Sequence, residues 1–425
     1  MCASTKFVTK FVFCRQLSCI AINASMNDKI KVFLSGMKLA TVWYYGSDSF
    51  PSLYQISKCR GASMSYWIGL EDLLDISVGA TFLGAGGGGD PYIGRLMAAA
   101  AIKEFGPIEV IEPSQLPDDA WIVPTAMMGA PTVLIEKVPN GGEMIHAFER
   151  LKERLGVPIY ATMPIEEGGI NSMVPLAVAA RLGLPIIDAD GMGRAFPEIQ
   201  MVTFSMHEVS ATPMIIVDER GQQVSIDAFN NYWTESLSRT ATMMMGGSAS
   251  VALYLMRGDK LKQSCVPNSI SNARDIGRKW RTSKASENPM ASLIETLGAY
   301  RLFDGKISDI LRRTVSGFAR GQLVISGLNQ DNAREMRIDF QNENLVALLD
   351  GVVLASVPDL ICVLDQESLE PITTEGLRYG RRVTVIGMPC FHAWRTDAGL
   401  KLVGPRYFGY DINYIPIEVI SRNGI

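Results

Sequence analysis

The stretches Pro158-Ile159-Tyr160-Ala161-Thr162 and Pro185-Ile186-Ile187-Asp188 decide the fold of this chain. Both runs are short and apolar, as buried β-strands are. Between them, residues 173–182 form an apolar run that follows Asn171 and ends at Gly183, a pattern that predicts a helix. A short strand, a helix and a second short strand are typical of a βαβ unit, so these residues predict two parallel strands.

The same alternation extends upstream of this unit. It predicts strands at 80–83, 108–111 and 121–124 and helices at 91–104 and 143–155. The helix at 91–104 has a clear beginning, because Asp90 is a good N-cap residue and Pro91 suits the first helical turn. The sequence therefore predicts an α/β N-terminal domain with a mainly parallel sheet, which we place at residues 64–240.

Beyond Met201 the alternation is lost. Residues 203–217 and 223–226 are predicted to be extended, and 230–297 to be a long, polar and mainly helical segment. From Gly305 onward the predicted strands lie at 310–314, 322–325, 336–340, 345–349, 360–364 and 382–386. Polar and apolar residues alternate at 337–340, which favours antiparallel strands with one face in solvent. We therefore expect a β-rich C-terminal domain at residues 241–425.

Length and composition agree with a two-domain protein. The chain has 425 residues, of which 47% are hydrophobic and 20% charged. Its net charge of −4 argues against nucleic acid as a partner. No apolar run reaches the roughly 18 residues that a membrane-spanning helix needs, so no membrane contact is expected. Cys265, Cys362 and Cys390 form no C-x-x-C pair, which fits a reducing compartment and argues against a structural zinc site.

Residues 1–63 differ from the rest of the chain. They hold eight lysines and arginines, only two acids, and four of the seven cysteines. This leader fits an extension that does not pack, a transit peptide, or an additional folded element. The protein is accordingly expected in the cytoplasm, or in mitochondria if the leader acts as a transit peptide.

Four glycine-rich loops follow apolar runs and mark a candidate site. They read Gly84-Ala85-Gly86-Gly87-Gly88-Gly89-Asp90-Pro91, Met127-Met128-Gly129-Ala130-Pro131, Glu166-Glu167-Gly168-Gly169-Ile170-Asn171 and Asp188-Ala189-Asp190-Gly191-Met192-Gly193-Arg194. In an open α/β sheet such loops lie at the carboxyl ends of the strands, where ligands bind. They predict a small-molecule site. Because three of the loops carry carboxylates, we expect this site to be catalytic.

The first loop has three interpretations. Gly84, Gly86 and Gly89 fit G-x-G-x-x-G, which would make the protein a nucleotide-dependent oxidoreductase. Asp90 weakens that interpretation, because it puts a negative charge where a pyrophosphate would sit. The alternatives are another ligand, held by residues 86–89 and Asp90, or a turn that passes close to a facing loop. The candidate binding residues here are Gly86, Gly87, Gly88, Gly89 and Asp90.

The fourth loop carries the strongest chemical signal. Asp188 and Asp190 point the same way in an extended chain, and two close carboxylates split their pKa values, so either is a candidate general base. They are also candidate ligands for a divalent metal, since Mg²⁺ and Mn²⁺ prefer oxygen. Arg194 is a candidate for stabilising charge, and Glu198 completes the candidate catalytic set. An ion pair that only caps the strand end is the structural alternative.

The third loop adds Glu167 as a further candidate acid, with Gly169 beside it. Asn171 is either a hydrogen-bonding partner of the substrate or the cap of the helix at 173–182, and the cap is favoured.

The sequence resembles the S-methyl-thiohydantoin desulfurase-like family over about residues 70–418. The resemblance lies in the loop at 84–91 and in the segments at 168–171, 188–198, 316–321, 340–344, 357–360 and 404–410. It implies an α/β N-terminal domain, a β-rich C-terminal domain, and hydrolysis of a thiohydantoin or its S-methyl form to a hydantoin. Relatives are also linked to hydantoinase and oxoprolinase proteins. Besides a small-molecule substrate, the candidate partners are therefore a hydantoinase-like protein or a second copy of this chain. The alternative to an enzyme is a non-catalytic partner subunit of a hydantoinase-like or oxoprolinase-like enzyme.

That chemistry needs a base for water and stabilisation of charge on the ring. Arg320 and Arg406, in glycine-flanked turns of the second domain, are candidates for closing the cleft over a substrate, with surface ion pairs as the alternative. No catalytic residue is carried over from the family.

Overall fold

The computed structural model describes residues 66–422, except 131, 132, 134, 135 and 138, and the backbone of four strands within the first 62 residues. Those four strands, Thr9–Phe11, Ile20–Ser25, Lys29–Leu34 and Ala40–Trp43, form an antiparallel sheet in chain order. The other residues of the leader lie outside the described part of the chain, so its interpretation as an extension or targeting segment stays a prediction. The chain divides into two compact units, residues 1–62 and 63–425.

The N-terminal half of the second unit is built on a mixed sheet of nine strands. From one edge to the other its main path runs Gln223–Ile226, Met214–Val217, Ser248–Ala252, Trp121–Gly129, Ile159–Pro164, Ile186–Ile187, Ile108–Ile111 and Tyr66–Ile68, and Met256–Arg257 also pairs with Trp121–Gly129. The central run from Trp121–Gly129 to Ile108–Ile111 is parallel, as the βαβ pattern predicts. The remaining pairs are antiparallel. The prediction of a mainly parallel sheet is therefore wrong, because strands that come before and after the βαβ units in the chain add to the sheet in antiparallel register.

Helices of the predicted alternation cover this sheet. They are Pro91–Phe105, Glu143–Leu155 and Val174–Leu182. Pro91–Phe105 begins as predicted, since the Asp90 carboxylate accepts a hydrogen bond from the Tyr92 N–H at 2.8 Å. Glu143–Leu155 buries its apolar side and ends at Gly156, which has a left-handed φ of 64°.

The element before the first glycine loop is a helix, Leu73–Gly84, and the strand predicted at 80–83 is wrong. Ten of its twelve residues are buried, so its apolar run reflects a buried helix, which periodicity does not distinguish from a buried strand. It packs closely on the helix Ser269–Ser283: a Cβ added to Gly79 would lie 1.8 Å from the Ala273 carbonyl oxygen.

The segment between the two halves mixes helices and strands. Its helices are Thr203–Met206, Asn231–Met244, Gly258–Ser264, Ser269–Ser283 and Pro289–Leu297. Residues 203–217 were predicted to be extended, and only Met214–Val217 is a strand. Residues 230–297 are mainly helical as predicted, but the strand Ser248–Ala252 interrupts them and joins the mixed sheet. Among the described residues, none of the helices is both long and apolar enough to cross a membrane.

The C-terminal half is an antiparallel half-barrel of seven strands, which confirms the β-rich prediction. In sheet order these are Val352–Ser356, Glu343–Leu349, Glu335–Gln341, Phe318–Gly327, Tyr300–Val315, Arg382–Met388 and Leu360–Asp365. Short helices, Asp397–Val403 and Ile417–Arg422, follow the last strand. Each predicted strand of this half lies within one of these longer strands.

Candidate active site

The first glycine loop packs directly on the third and fourth loops. The Gly88 carbonyl accepts a hydrogen bond from the Ile170 N–H at 2.9 Å, and the Leu83 carbonyl accepts one from the Ala195 N–H at 3.2 Å. A Cβ on Gly88 would lie 2.7 Å from the backbone carbonyl of Gly168, so only glycine permits this approach. The loops that the sequence singled out at separate positions therefore meet at one place.

The C-terminal half closes on the other side of the first loop. The Ala85 and Gly86 carbonyls accept hydrogen bonds from the N–H groups of Asn344 and Thr374, at 2.9 and 2.7 Å. A Cβ on Gly87 would lie 2.0 Å from Glu343 Oε1. The glycines thus make room for facing loops. A dinucleotide-binding loop follows a β-strand, but here the helix Leu73–Gly84 precedes the loop. In addition, Asp90 caps the helix Pro91–Phe105.

A cavity of about 70 Å³ lies where these segments meet. Its polar wall consists of Glu166, Asn171, Glu198, Arg239, Asn342 and Glu343. Its apolar wall includes Met127, Ile165, Ile170, Phe196, Ile199 and Val251. Both halves of the molecule contribute, and several residues belong to segments that carry the family resemblance.

Glu166 is a buried carboxyl group on this wall. Burial raises its pKa to about 7, although the hydrogen bond from Asn171 opposes the rise. Asn171 Nδ2 donates to Glu166 Oε1 at 2.6 Å and to the Met127 carbonyl at 3.1 Å, while its Oδ1 accepts from the Met127 N–H at 2.7 Å. Asn171 therefore positions Glu166 against a strand end, and its favoured interpretation as a helix cap is wrong.

Glu343 is a second buried carboxyl group on the wall, and its Oε2 has no hydrogen-bond partner among the described residues. Burial and the nearby Glu166 carboxylate raise its pKa well above the usual range, and the positive charge of Arg194 opposes them. Both carboxyl groups of the wall are therefore harder to ionise than an exposed glutamate, and Glu343 has the Glu166 carboxylate as an added cause.

Glu198 and Arg239 complete the polar wall. Glu198 Oε2 accepts hydrogen bonds from the Tyr407 hydroxyl at 2.7 Å and from Gln200 Nε2. Arg239 is bonded to Glu235 at 2.7 Å, donates to the Pro197 carbonyl at 2.9 Å, and lies 4.2 Å from the centre of the Phe318 ring. These contacts tie the segments at 404–410 and 316–321 to the cavity.

Asp188 and Asp190 lie behind the cavity wall. Asp190 is fully buried, and its oxygens accept hydrogen bonds from the N–H groups of Glu167 at 2.7 Å, Met192 at 3.1 Å and Gly193 at 2.7 Å. Asp188 accepts from the Ser271 N–H at 3.0 Å, at the start of the helix Ser269–Ser283. No cluster of three or more side chains that could hold a metal ion occurs within the described residues, and a divalent cation on Asp188 and Asp190 stays a prediction.

Arg194, Glu167 and Gly169 also lie outside the cavity wall. Arg194 is buried and donates to the carbonyls of Pro358 and Asp359 at 2.7 and 3.0 Å, so it anchors the segment at 357–360. Glu167 is buried outside the cavity wall, and burial and the Asp190 carboxylate raise its pKa well above the usual range. Gly169 has a φ of 55°, and a Cβ there would lie 2.2 Å from the Gly89 carbonyl oxygen.

Arg320 and Arg406 are exposed and lie outside the cavity wall. The Arg320 guanidinium lies 5.8 Å from the centre of the Phe318 ring, and Arg406 is 3.3 Å from Asp411. This placement matches the surface alternative rather than a clamp over a ligand.

Four residues of the cavity wall are not among the candidates predicted from sequence: Glu166, Arg239, Asn342 and Glu343. Glu166 stood in the third loop, but its neighbour Glu167 was preferred, and Asn342 and Glu343 were noted only as part of a family-like segment. For Arg239, the available signal was its spacing from Glu235, one helical turn earlier.

Comparison with known proteins agrees with this architecture. Models of the S-Me-THD-like N-terminal and C-terminal domains match residues 71–228 and 229–417. No curated protein matches the chain. The chain is similar to an X-ray crystal structure of a protein from Chromobacterium violaceum, a Northeast Structural Genomics Consortium target, with a TM-score of 0.71 and 23% identity, covering 83% of this chain and 100% of that one. At that identity the likeness shows the fold alone. The two domain matches meet without a gap and span residues 71–417, so the chain belongs to the S-Me-THD-like family.

Proposed function

We propose that this protein hydrolyses a thiohydantoin or an S-methyl-thiohydantoin, giving a hydantoin and releasing sulfide or methanethiol. The observation that carries the proposal is the pair of buried carboxyl groups, Glu166 and Glu343, which share one cavity wall. Burial raises the pKa of both, and the Glu166 carboxylate raises that of Glu343 in addition. Two titratable groups whose surroundings separate their pKa values are suited to act as base and acid. Family membership supplies the substrate class that this pair is proposed to serve.

In the first step, Glu166 acts as the general base. Its carboxylate takes a proton from a water molecule, and the water oxygen bonds to the ring carbon that carries sulfur. The electron pair of the carbon–nitrogen or carbon–sulfur double bond moves onto the nitrogen or sulfur. Asn171 holds Glu166 in place, since its side chain is fixed by two hydrogen bonds to Met127.

In the second step, Glu343 acts as the general acid. It gives its proton to the departing sulfur while the carbon–sulfur bond breaks and the hydroxyl oxygen becomes the new carbonyl group. The hydroxyl proton passes to the released hydrosulfide or, with the S-methyl substrate, to the ring nitrogen that received the electron pair in the first step. The buried guanidinium of Arg194 offsets the negative charge that Glu343 then carries. Exchange of one proton with solvent returns both carboxyl groups to their starting states.

The test is turnover by the full chain supplied with 2-thiohydantoin and its S-methyl derivative, with sulfide and methanethiol as the measured products. We expect Glu166→Gln to lower kcat by about a hundredfold or more, because the loss of a general base typically costs that much. The matched control is Glu375→Gln. Glu375 is also buried, burial also raises its pKa to about 7, and it lies outside the cavity wall.

Two results would overturn the proposal. One is a folded wild-type protein that releases neither product. The other is a Glu166→Gln variant that keeps the wild-type rate.

A further inference from the structure

We propose that Glu198 and Asn342 recognise the amide edge of the ring, so that the site accepts cyclic amides with a free ring N–H and rejects rings that are alkylated on nitrogen or carry an anionic substituent. This inference rests on the proposed function for the identity of the ring, and it adds the basis of selection. It follows from which polar groups of the wall are already hydrogen-bonded and which are not.

Glu198 supplies a fixed acceptor. Its Oε2 is held by the Tyr407 hydroxyl at 2.7 Å and by Gln200 Nε2. Its Oε1 accepts no hydrogen bond from the residues that the structure describes. Since one oxygen is anchored and the group lines the cavity, the other is available to a ligand N–H.

Asn342 supplies a fixed donor. Its Oδ1 accepts a hydrogen bond from the Ala319 N–H at 2.8 Å, which determines the orientation of the amide group. Its carbonyl accepts a hydrogen bond from Thr374 Oγ1 at 2.9 Å, which secures the backbone of this turn. Within the described part of the chain, its Nδ2 has no acceptor, so it is available to a ligand carbonyl group.

Each side-chain nitrogen of the other two donors on the wall, Arg239 and Asn171, already has a partner. Arg239 is bonded to Glu235, Pro197 and Gly317, and Asn171 Nδ2 is bonded to Met127 and Glu166. An anionic substituent would therefore meet the three carboxyl groups of the wall, where the lining guanidinium, Arg239, is already paired with Glu235. The small volume and the apolar remainder of the wall favour a compact ring.

A cyclic amide carries both groups that this acceptor and this donor would bind, because its N–H and C=O groups lie on one edge. Methylation of the nitrogen removes the donor that Glu198 would bind and leaves its carboxylate oxygen facing a methyl group in the cavity. A site built around such a hydrogen bond discriminates strongly against a ligand that lacks it.

The experiment is calorimetric binding of hydantoin, 1-methylhydantoin, 3-methylhydantoin, 1,3-dimethylhydantoin and hydantoin-5-acetate to the full chain. Hydantoin carries no sulfur, so its binding is measured without turnover. We expect 1,3-dimethylhydantoin and hydantoin-5-acetate to bind at least about tenfold more weakly than hydantoin, the effect of one hydrogen bond to a charged group. The two monomethyl rings identify which nitrogen is recognised.

Two variants locate the effect. Glu198→Gln is expected to reduce the preference for hydantoin over 1,3-dimethylhydantoin by about tenfold, and to improve binding of hydantoin-5-acetate. Tyr407→Phe keeps the carboxylate but removes one anchor, so a smaller loss of preference is expected. If Glu198→Gln does not fold, a smaller preference in Tyr407→Phe supports the inference and an unchanged preference contradicts it.

The outcomes separate this inference from the proposed function. Equal affinity of the wild type for hydantoin and 1,3-dimethylhydantoin, no binding of hydantoin, or an unchanged preference in Glu198→Gln overturns the inference even if thiohydantoins are hydrolysed. A clear preference for free N–H groups without release of sulfide or methanethiol supports the inference and overturns the desulfurase activity alone.

Discussion

Glu166 and Asp190 differ in what their oxygens contact, although burial raises the pKa of both to about 7. Asp190 accepts hydrogen bonds from three backbone N–H groups and is enclosed by its own loop. Glu166 accepts one hydrogen bond from Asn171 and lines the cavity.

The difference shows that a raised pKa reports burial and does not by itself report a role in catalysis. A buried carboxylate that is saturated by N–H groups organises a loop, as Asp190 does for residues 190–193. A buried carboxylate that faces a cavity is able to exchange a proton with a ligand. Experiments can test either the loop-organising role of Asp190 or the proton-exchanging role of Glu166.

The largest expected effect is on the structural side, in Asp190→Ala. This change leaves the N–H groups of Glu167, Met192 and Gly193 buried without an acceptor. At about 1–3 kcal/mol for each such group, we expect the free energy of unfolding to fall by about 3 kcal/mol or more. Urea denaturation measures the loss.

The control is Glu166→Gln, which keeps the shape of the side chain and whose free energy of unfolding should stay within about 1 kcal/mol of the wild type. Equal stability of Asp190→Ala and the wild type would contradict the structural role of Asp190.

The second prediction concerns the pH dependence of kcat on the catalytic side. Glu166 acts only when deprotonated, so the rate should rise with pH through about 7, where its pKa lies. Glu343 acts only when protonated, so the rate should fall once the pH exceeds the pKa of Glu343, which burial and the Glu166 carboxylate raise well above the usual range. The pH profile of sulfide release tests this shape.

In Glu343→Gln the fall at high pH should disappear together with most of the activity. A rate that decreases as pH rises through 7 would contradict the assignment of Glu166 as the base.

Much of the fold was predictable because its signals are local. The cap at Asp90, the glycines that end helices and the alternation at 337–340 each act within a few residues, and the structure confirms the elements that they predict. The helix Leu73–Gly84 was not predictable in this way. Its burial depends on a partner helix almost two hundred positions later in the chain.

The location of the site was predictable from the sequence, but the residues that line it were not. The glycine loops and the segment at 188–198 do meet, yet which carboxyl group faces the cavity depends on the direction of each side chain. Glu166 and Glu167 are adjacent in sequence, and only the structure shows that Glu166 lines the cavity. Glu343 comes from the other domain, so its contact with the first loop is a tertiary contact without a local signal.

The third prediction is a moderate loss of activity in Gly87→Ala. The new Cβ would lie 2.0 Å from Glu343 Oε1, so the carboxyl group must move. Because misplacement of a catalytic group by about 1 Å is costly, we expect the rate of sulfide release to fall about tenfold or more.

Gly84→Ala, at the start of the same loop, is the matched control. Its Cβ would lie 3.6 Å from the nearest atom, an ordinary contact, so activity should be retained. Equal activity of the two variants would show that the position of Glu343 does not matter.

The smallest expected effects are those of Arg320→Ala and Arg406→Ala. Both side chains are exposed and lie outside the cavity wall, and Arg406 pairs with Asp411, which is itself exposed. Exposed ion pairs contribute little, so we expect the free energy of unfolding to change by no more than about 0.5 kcal/mol. The rate of sulfide release should stay close to that of the wild type.

A large loss of activity in either variant, with stability unchanged, would mean that the domains close further over a ligand and bring an arginine to the cavity. That result would return Arg320 or Arg406 to the substrate-binding role that the sequence predicted.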